Sequence, residues 1–382
     1  MTPWRPQAFR NAARTSGVAQ SVITNAVETA EILLRRTPSA EPIFSLKHLS
    51  ELTNIPYVKL RDVVSRRGVE PYRVFKLRKR PLPDEEVRFR TIVVPSPWLM
   101  TLQRWINASV LESVRPHEAS VAFSTGDTIR EAANRHCGCK WLIKIDIRNF
   151  FESVTEAQVY RVFESLGYQP LVSFELARLC TRVGDRKTRS THVRYRSEGD
   201  SEIAAYNSTI MGHLPQGAPT SPRIANLVAI DLDRILMSAA DEHGLTYTRY
   251  ADDLIFSTRN PNLSRSKIRT VIGDVYARIA AHGFTPNTAK TVVAPPGARK
   301  VVLGLLVDTE VPHLTREFKS SLRQHLHFLR KTGFGPTVHS PRKGGTTVYG
   351  MRRHVLGLIQ HARQIEPAYG DARLAEFNQI EW

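Results

Sequence analysis

Leu245-Thr246-Tyr247-Thr248-Arg249-Tyr250-Ala251-Asp252-Asp253-Leu254-Ile255-Phe256-Ser257 sets two adjacent carboxylates between two β-rich runs. Apolar and β-branched residues on either side of a short polar turn predict a hairpin with Asp252 and Asp253 at its tip. Like charges this close raise each other's pKa unless a cation neutralises them. Hard oxygen ligands on a turn suit Mg2+, which keeps several waters and binds through one or two carboxylates plus substrate phosphates. Alone the pair is weak, because Asp-Asp is commonplace in turns and a turn-forming role accounts for it.

A second element lies upstream. Trp141-Leu142-Ile143-Lys144-Ile145-Asp146-Ile147 is mostly apolar, as a buried central strand is. A carboxylate at the end of such a strand is costly unless it ligates or is hydrogen-bonded. If the hairpin pairs beside this strand, Asp146 and Asp252 converge and can bridge two metal ions about 4 Å apart. The third element is Leu214-Pro215-Gln216-Gly217-Ala218-Pro219-Thr220-Ser221-Pro222, which leads into the apolar stretch 224–236. Three prolines and a glycine fix a rigid turn, with Ser221 and Pro222 as cap and first helical position. Such an entry offers backbone N–H groups to a phosphate or base pair. Taken singly, it is also an ordinary helix start after a surface loop.

The rest of the chain reads as α+β. Val22, Ile23, Ala26, Val27, Ala30 and Leu33 recur at helical spacing until Thr37-Pro38-Ser39. Ser45 caps a second predicted helix, and Asn54-Ile55-Pro56 turns into a third. That pattern fits either a packed helical lobe or a DNA-reading helix-turn-helix. Residues 72–77 and 88–94 read as strands joined by a turn around Pro81 to Glu86. Helical stretches follow near 98–114, 128–135 and 155–182, then a polar, basic connector over 182–200. Beyond Pro312 the chain is helical again, with an apolar stripe of Phe318, Leu322, Leu326 and Leu329 beside the cations Arg316, Lys319, Arg323 and Arg330. The domains expected are a helical lobe over 1–70, a central domain over 71–312 and a helical domain over 313–382.

Bulk composition narrows the classes. The chain carries 54 Lys+Arg against 36 Asp+Glu, a net charge of +18, which suits an acidic polymer or a membrane surface as partner. Cys137, Cys139 and Cys180 make neither a disulfide framework nor a four-ligand zinc site, so reduced thiols in a cytosolic protein are expected. The first 17 residues lack the apolar core of about 7–15 residues that a secretory signal needs. No apolar run approaches the roughly 18 residues of a spanning helix, so no membrane partner is expected.

The three ordered elements together resemble the reverse transcriptases of bacteria, the retron type in particular, related to group II intron and phage-defence reverse transcriptases. Residues 144–151 are similar to the family's first metal motif, 214–222 to its template- and nucleotide-positioning motif, and 250–253 to its signature hairpin; the resemblance covers roughly Tyr72 to Asp308. It implies a right-hand polymerase with fingers, an antiparallel-sheet palm and a helical thumb, the N-terminal lobe being an extension. It implies Asp146, Asp252 and Asp253 as catalytic groups, and Asp146, Ile147, Asp252 and Asp253 as ligands of two Mg2+ ions, with Mn2+ as an alternative. Arg90 and Lys290 match residues near the triphosphate, Gln216 one near nucleotide and template, and Phe151 the wall that excludes a ribose 2′-hydroxyl. Residues 132–136 resemble a retron element ending in His136 but have Ala132 where Asn is usual. Residues 302–308 resemble a retron element around Gly304 but have Leu303 where Thr is usual.

His136, Gly304, Arg316, Lys319, Arg323 and Arg330 are thereby candidate RNA contacts. The resemblance implies RNA-directed DNA synthesis from deoxynucleoside triphosphates on a dedicated structured noncoding RNA. It also implies cDNA still attached to that RNA, a bacterial cytoplasmic location, and anti-phage defence with a separate effector protein. Two alternatives stay open. One is a non-retron defence reverse transcriptase that copies another template or none. The other is a nucleic-acid-binding scaffold without catalysis, against which the intact acids, Gln216 and Phe151 stand.

Overall fold

A computed structural model describes residues 4–78, 89–124, 126–184, 211–331, 333–342 and 347–382. The predicted turn at Pro81 to Glu86 and the connector from 185 to 200 lie outside the described residues. The chain forms two compact units that interleave along the sequence. The first comprises Met1–Ser124, Ile147–Ile235 and Tyr276–Pro286, the second Thr125–Asp146, Leu236–Val275 and Asn287–Trp382.

In the first unit the N-terminal helices are Pro6–Thr15, Gln20–Arg36, Leu46–Thr53 and Tyr57–Val64. Ser45 caps the third through its hydroxyl, which accepts from the His48 N–H, and Asn54 ends it in a left-handed conformation. Ile23, Val27, Ala30 and Leu33 form the buried stripe of Gln20–Arg36, whereas Val22 faces solvent at 57% exposure. The lobe does not stand alone. Thr37 donates to the Leu166 carbonyl, and the Tyr168 hydroxyl donates to that of Glu41. These bonds tie the lobe to the end of helix Glu156–Leu166 and to the residues that lead into helix Pro170–Cys180. Strands β1 (Tyr72–Arg78) and β2 (Phe89–Pro95) pair antiparallel, Tyr72 opposite Pro95 and Leu77 opposite Arg90. Helix Pro97–Ile106 runs on into a π turn, Asn107–Leu111, that the sequence did not announce.

The second unit is built on a four-stranded antiparallel sheet. Its strands are β3 (Trp141–Asp146), β4 (Thr246–Tyr250), β5 (Asp253–Thr258) and β6 (Val292–Ala294), in the order β4-β5-β3-β6. The central strands β3 and β5 are almost wholly buried, which is why they read as continuous apolar runs rather than alternating ones. A smaller sheet joins β7 (Val301–Val302), β8 (Leu305–Leu306) and β9 (His313–Leu314). Helices Arg316–Arg330, Gly335–Arg342, Val348–Ile365 and Pro367–Asn378 complete it. Leu322, Leu326 and Leu329 share one core with Val355, Ile359, Cys137, Leu142 and Ile255.

Candidate active site

β3 and β5 pair in the register Trp141 opposite Thr258 through Asp146 opposite Asp253, so the strand carboxylate and the hairpin carboxylate meet across one rung. β4 and β5 pair with Tyr250 opposite Asp253, leaving Ala251 and Asp252 as a two-residue turn. Ala251 takes φ 53, a left-handed conformation that costs a non-glycine residue roughly 1–2 kcal/mol. Arg249, fully buried, donates to the Ala251 carbonyl at 3.2 Å and holds that turn.

Asp146 is 8% exposed and well partnered. Asn287 donates its side-chain amide to Oδ1 at 2.7 Å and its backbone N–H to the Asp146 carbonyl at 2.7 Å. Lys290 Nζ donates to Oδ2 at 3.0 Å. The sequence reading places Lys290 near a triphosphate; here its ammonium neutralises Asp146. Burial, then the neighbouring Asp253 and Asp146, raises the Asp252 carboxyl above its ordinary range. Burial also raises Asp253, with Lys144 opposing and Asp146 adding to the rise.

A divalent cation fits this donor set: three partly buried hard-oxygen groups hold more negative charge than Lys290 and Lys144 balance. Among the described residues no three His, Cys, Asp or Glu side chains converge into a ready-made cage, so a bound ion would depend on substrate oxygens as well. Ile147 buries its side chain, at 1% exposure, and offers only backbone atoms.

Arg90, Phe151 and Gln216 belong to the first unit. Arg90 is exposed on β2. The carbonyl of Gln216 accepts from the Val93 N–H, which ties the 214–222 loop to β2. Gly217 has φ 123, and a Cβ there would stand 2.8 Å from the Val93 carbonyl oxygen, so the loop requires glycine twice over. The Asn107 amide, at the start of the π turn, donates to the Pro219 carbonyl at 2.7 Å. Phe151 is half-buried and lines a cavity of about 540 Å3 with Gly217, Ala218 and Pro219. The structure thus brings Phe151 together with the loop that carries Gln216.

The RNA-binding candidates divide. His136 is 1% exposed, and its ring nitrogens bond the hydroxyls of Ser257 and Thr248, each at 2.7 Å. Burial holds it down at about 4, so the ring is neutral. A buried, doubly bonded imidazole cannot reach RNA in this structure, which corrects the expectation for His136; it staples β4 to β5 instead. Gly304 is exposed at φ 84 in the β7–β8 turn, beside Leu303 at φ 48. Lys319 is committed to Glu366 at 2.6 Å, and Arg330 lies 3.8 Å from Glu376. Arg316 and Arg323 are exposed. Sequence reasoning missed Asn287 and Arg249; the second carried a signal, an arginine inside an otherwise apolar strand.

An antiparallel sheet with paired carboxylates at a hairpin tip defines the palm class of nucleotidyl-transfer site. A family model for reverse transcriptase (RNA-dependent DNA polymerase) matches residues 79–312. The chain is 30% identical over 285 residues to the retron Ec86 reverse transcriptase of Escherichia coli, covering 75% of this chain and 78% of that one. It is 30% identical over 317 residues to the retron Mx162 reverse transcriptase of Myxococcus xanthus, covering 78% and 60%. A telomerase chain from Candida albicans overlaps 89% of this chain and 66% of its own at a TM-score of 0.40 and 12% identity, too slight a likeness to carry an argument. The chain belongs to the reverse transcriptase family, of the retron type, and is an RNA-directed DNA polymerase with the α+β right-hand fold class. Among the described residues no helix is long and apolar enough to cross a membrane.

Proposed function

We propose that this polymerase copies a dedicated structured noncoding RNA, serving as both template and primer, into single-stranded DNA. The reading includes a bacterial cytoplasmic location and a part in anti-phage defence alongside a separate effector protein. The observation that carries the chemistry is the β3–β5 register, which sets Asp146 opposite Asp253 and next to the Asp252 turn. The retron-type relatives support the choice of template.

In this reading a primer hydroxyl attacks the α-phosphorus of a deoxynucleoside triphosphate and pyrophosphate leaves. Two Mg2+ ions, when bound, lower the hydroxyl's pKa and offset charge on the transferring phosphoryl group. Asp146, Asp252 and Asp253 would hold them. Asn287 keeps the Asp146 carboxylate in one orientation, and Lys290 supplies its counter-charge. Phe151 walls off a ribose 2′-hydroxyl, Gln216 lies along nucleotide and template, and Arg90 reaches the triphosphate. The thumb helices occupy 313–382 and the fingers and palm 71–312.

The test is to sequence the nucleic acid that co-purifies with the protein and to assay primer extension with wild type, Asp252→Asn and Asp253→Asn. A discrete structured RNA joined to single-stranded DNA is expected, with incorporation abolished in both variants. Recovery of no such RNA would favour the non-retron alternative. Extension by the variants at the wild-type rate would remove the assignment of the acids.

A further inference from the structure

A cavity of about 770 Å3 in the first unit shares no lining residue with the one beside Phe151. Two of its aromatic rings each face a cation. Lys59 Nζ stands 5.9 Å from the Trp98 ring centre, and the Arg182 guanidinium 5.8 Å from that of Tyr72. The charges here are unequally committed. Glu70 accepts from Arg182 Nε and from the backbone N–H groups of Val183 and Gly184. Arg66 is ion-paired with Glu156. Among the described lining residues this leaves the exposed cations Lys59 and Arg67 against one further acid, Asp62, so that part of the lining is cationic.

We propose that this cavity takes an unpaired nucleotide of single-stranded RNA, its base against Trp98 and its flanking phosphates on Lys59 and Arg67. Aromatic platforms beside dispersed cations are how single strands are held without base pairing, because every base has a π-face and every linkage a charge. A pocket for a free nucleoside triphosphate would instead turn backbone N–H groups on the phosphates. Here the N–H groups of Val183 and Gly184 are spent on Glu70. An acidic peptide would use the two cations but would leave the Trp98 face without a matched partner. The inference rests on the polymerase reading only in taking RNA as the ligand, and none of these residues serves the carboxylate site.

The test measures binding of fluorescein-labelled octauridylate and octaadenylate by anisotropy. The proteins are wild type, Lys59→Glu/Arg67→Glu, Trp98→Leu and, as a charge-matched control elsewhere on the unit, Arg35→Glu/Arg36→Glu. A photo-cross-link from 4-thiouridine in the octauridylate is mapped by mass spectrometry. Loss of one stacked base is expected to weaken binding about tenfold in Trp98→Leu. The double charge reversal should do at least as much, the control should stay within twofold of wild type, and the cross-link should fall on the Trp98 or Tyr72 peptide. Should Trp98→Leu prove unfolded by circular dichroism, the double reversal, confined to exposed side chains, carries the test. Wild-type affinity in that variant, cross-links elsewhere, or equal competition by octaglutamate would overturn the proposal. Wild-type primer extension on an unrelated template is run alongside; its absence would count against the polymerase reading and leave the pocket result standing.

Discussion

His136 gives the sharpest prediction, because its burial and bonding turn a presumed RNA contact into a titratable support. The unfolded imidazole ionises near 6.5, whereas the folded one is held at about 4 by burial, with Arg135 adding to the effect. The unfolded chain therefore binds the proton more readily, and stability rises with pH across that window. The contribution is fully present above 6.5 and is lost as the pH falls towards 4; the gap corresponds to roughly 3 kcal/mol. Roughly 2 kcal/mol of it falls between about pH 6.5 and 5, above most carboxylate titrations. His136→Phe keeps an aromatic ring but strands the Ser257 and Thr248 hydroxyls, at about 1–3 kcal/mol each.

Urea unfolding of wild type and His136→Phe at pH 7 and pH 5 reads both effects. The variant should be weaker by about 2–6 kcal/mol at pH 7, and that gap should narrow by roughly 2 kcal/mol at pH 5. His48 and His361 are also lowered by burial, and burial raises Glu175 to about 7, so the difference between the two proteins is the quantity to follow. A gap independent of pH would refute the reasoning. So would a variant as stable as wild type that loses affinity only for its cognate RNA.

Phe151→Ala should raise ribonucleotide relative to deoxynucleotide incorporation, since removal of a steric wall alters discrimination more than chemistry; an unchanged ratio of the two kcat/KM values would count against it. Arg316→Glu/Arg323→Glu should make the salt dependence of RNA affinity shallower by about 1.4–2 in log–log slope, with little loss of stability. Lys319→Glu should instead cost stability by breaking the Glu366 pair, and identical behaviour of the two would contradict that division. Glu156→Gln should destabilise by about 3–5 kcal/mol, because it leaves the Arg66 and Arg178 guanidiniums uncompensated. Burial alone would raise the Glu156 carboxyl, but the two arginines outweigh it and hold it below its usual range. Its stabilisation is therefore present above about 4.5 and lost as the pH falls through the folded value; urea unfolding below pH 4.5 should show the variant's deficit shrinking.

What the sequence made legible was local. The Asp252-Asp253 hairpin, the Asp146 strand and the Ser45 cap are each specified by residues within a few positions, through strand alternation, apolar runs and side-chain capping. Helix Arg265–Ala281 carries an equally local signal, since Ile268, Val271, Val275 and Ile279 recur at helical spacing. Other features depend on partners far along the chain. Asn287 reaches Asp146 across 141 residues, and His136 reaches Ser257 across 121. The two units interleave for the same reason, because the core that joins Leu142 to Leu326 is set by packing between distant segments. Composition marks the cations of Arg316–Arg330, but only the positions of Glu366 and Glu376 show which of them are spent.

The three residues that organise the acids share one property: none is itself acidic. Asn287 fixes one Asp146 oxygen and the backbone behind it, Arg249 holds the carbonyl of the strained Ala251, and His136 bolts the two hairpin strands through their hydroxyls. Each answers a different freedom: carboxylate rotation, turn conformation and strand separation. Carboxylates that repel one another and lack a closed cage would drift apart unless such supports opposed it, and catalysis by charge stabilisation needs the groups placed before substrate arrives. It follows that a chain with all three aspartates intact can still fail as a polymerase. Loss of Asn287, Arg249 or His136 should lower kcat while leaving the acids, and their need for a divalent cation, unchanged.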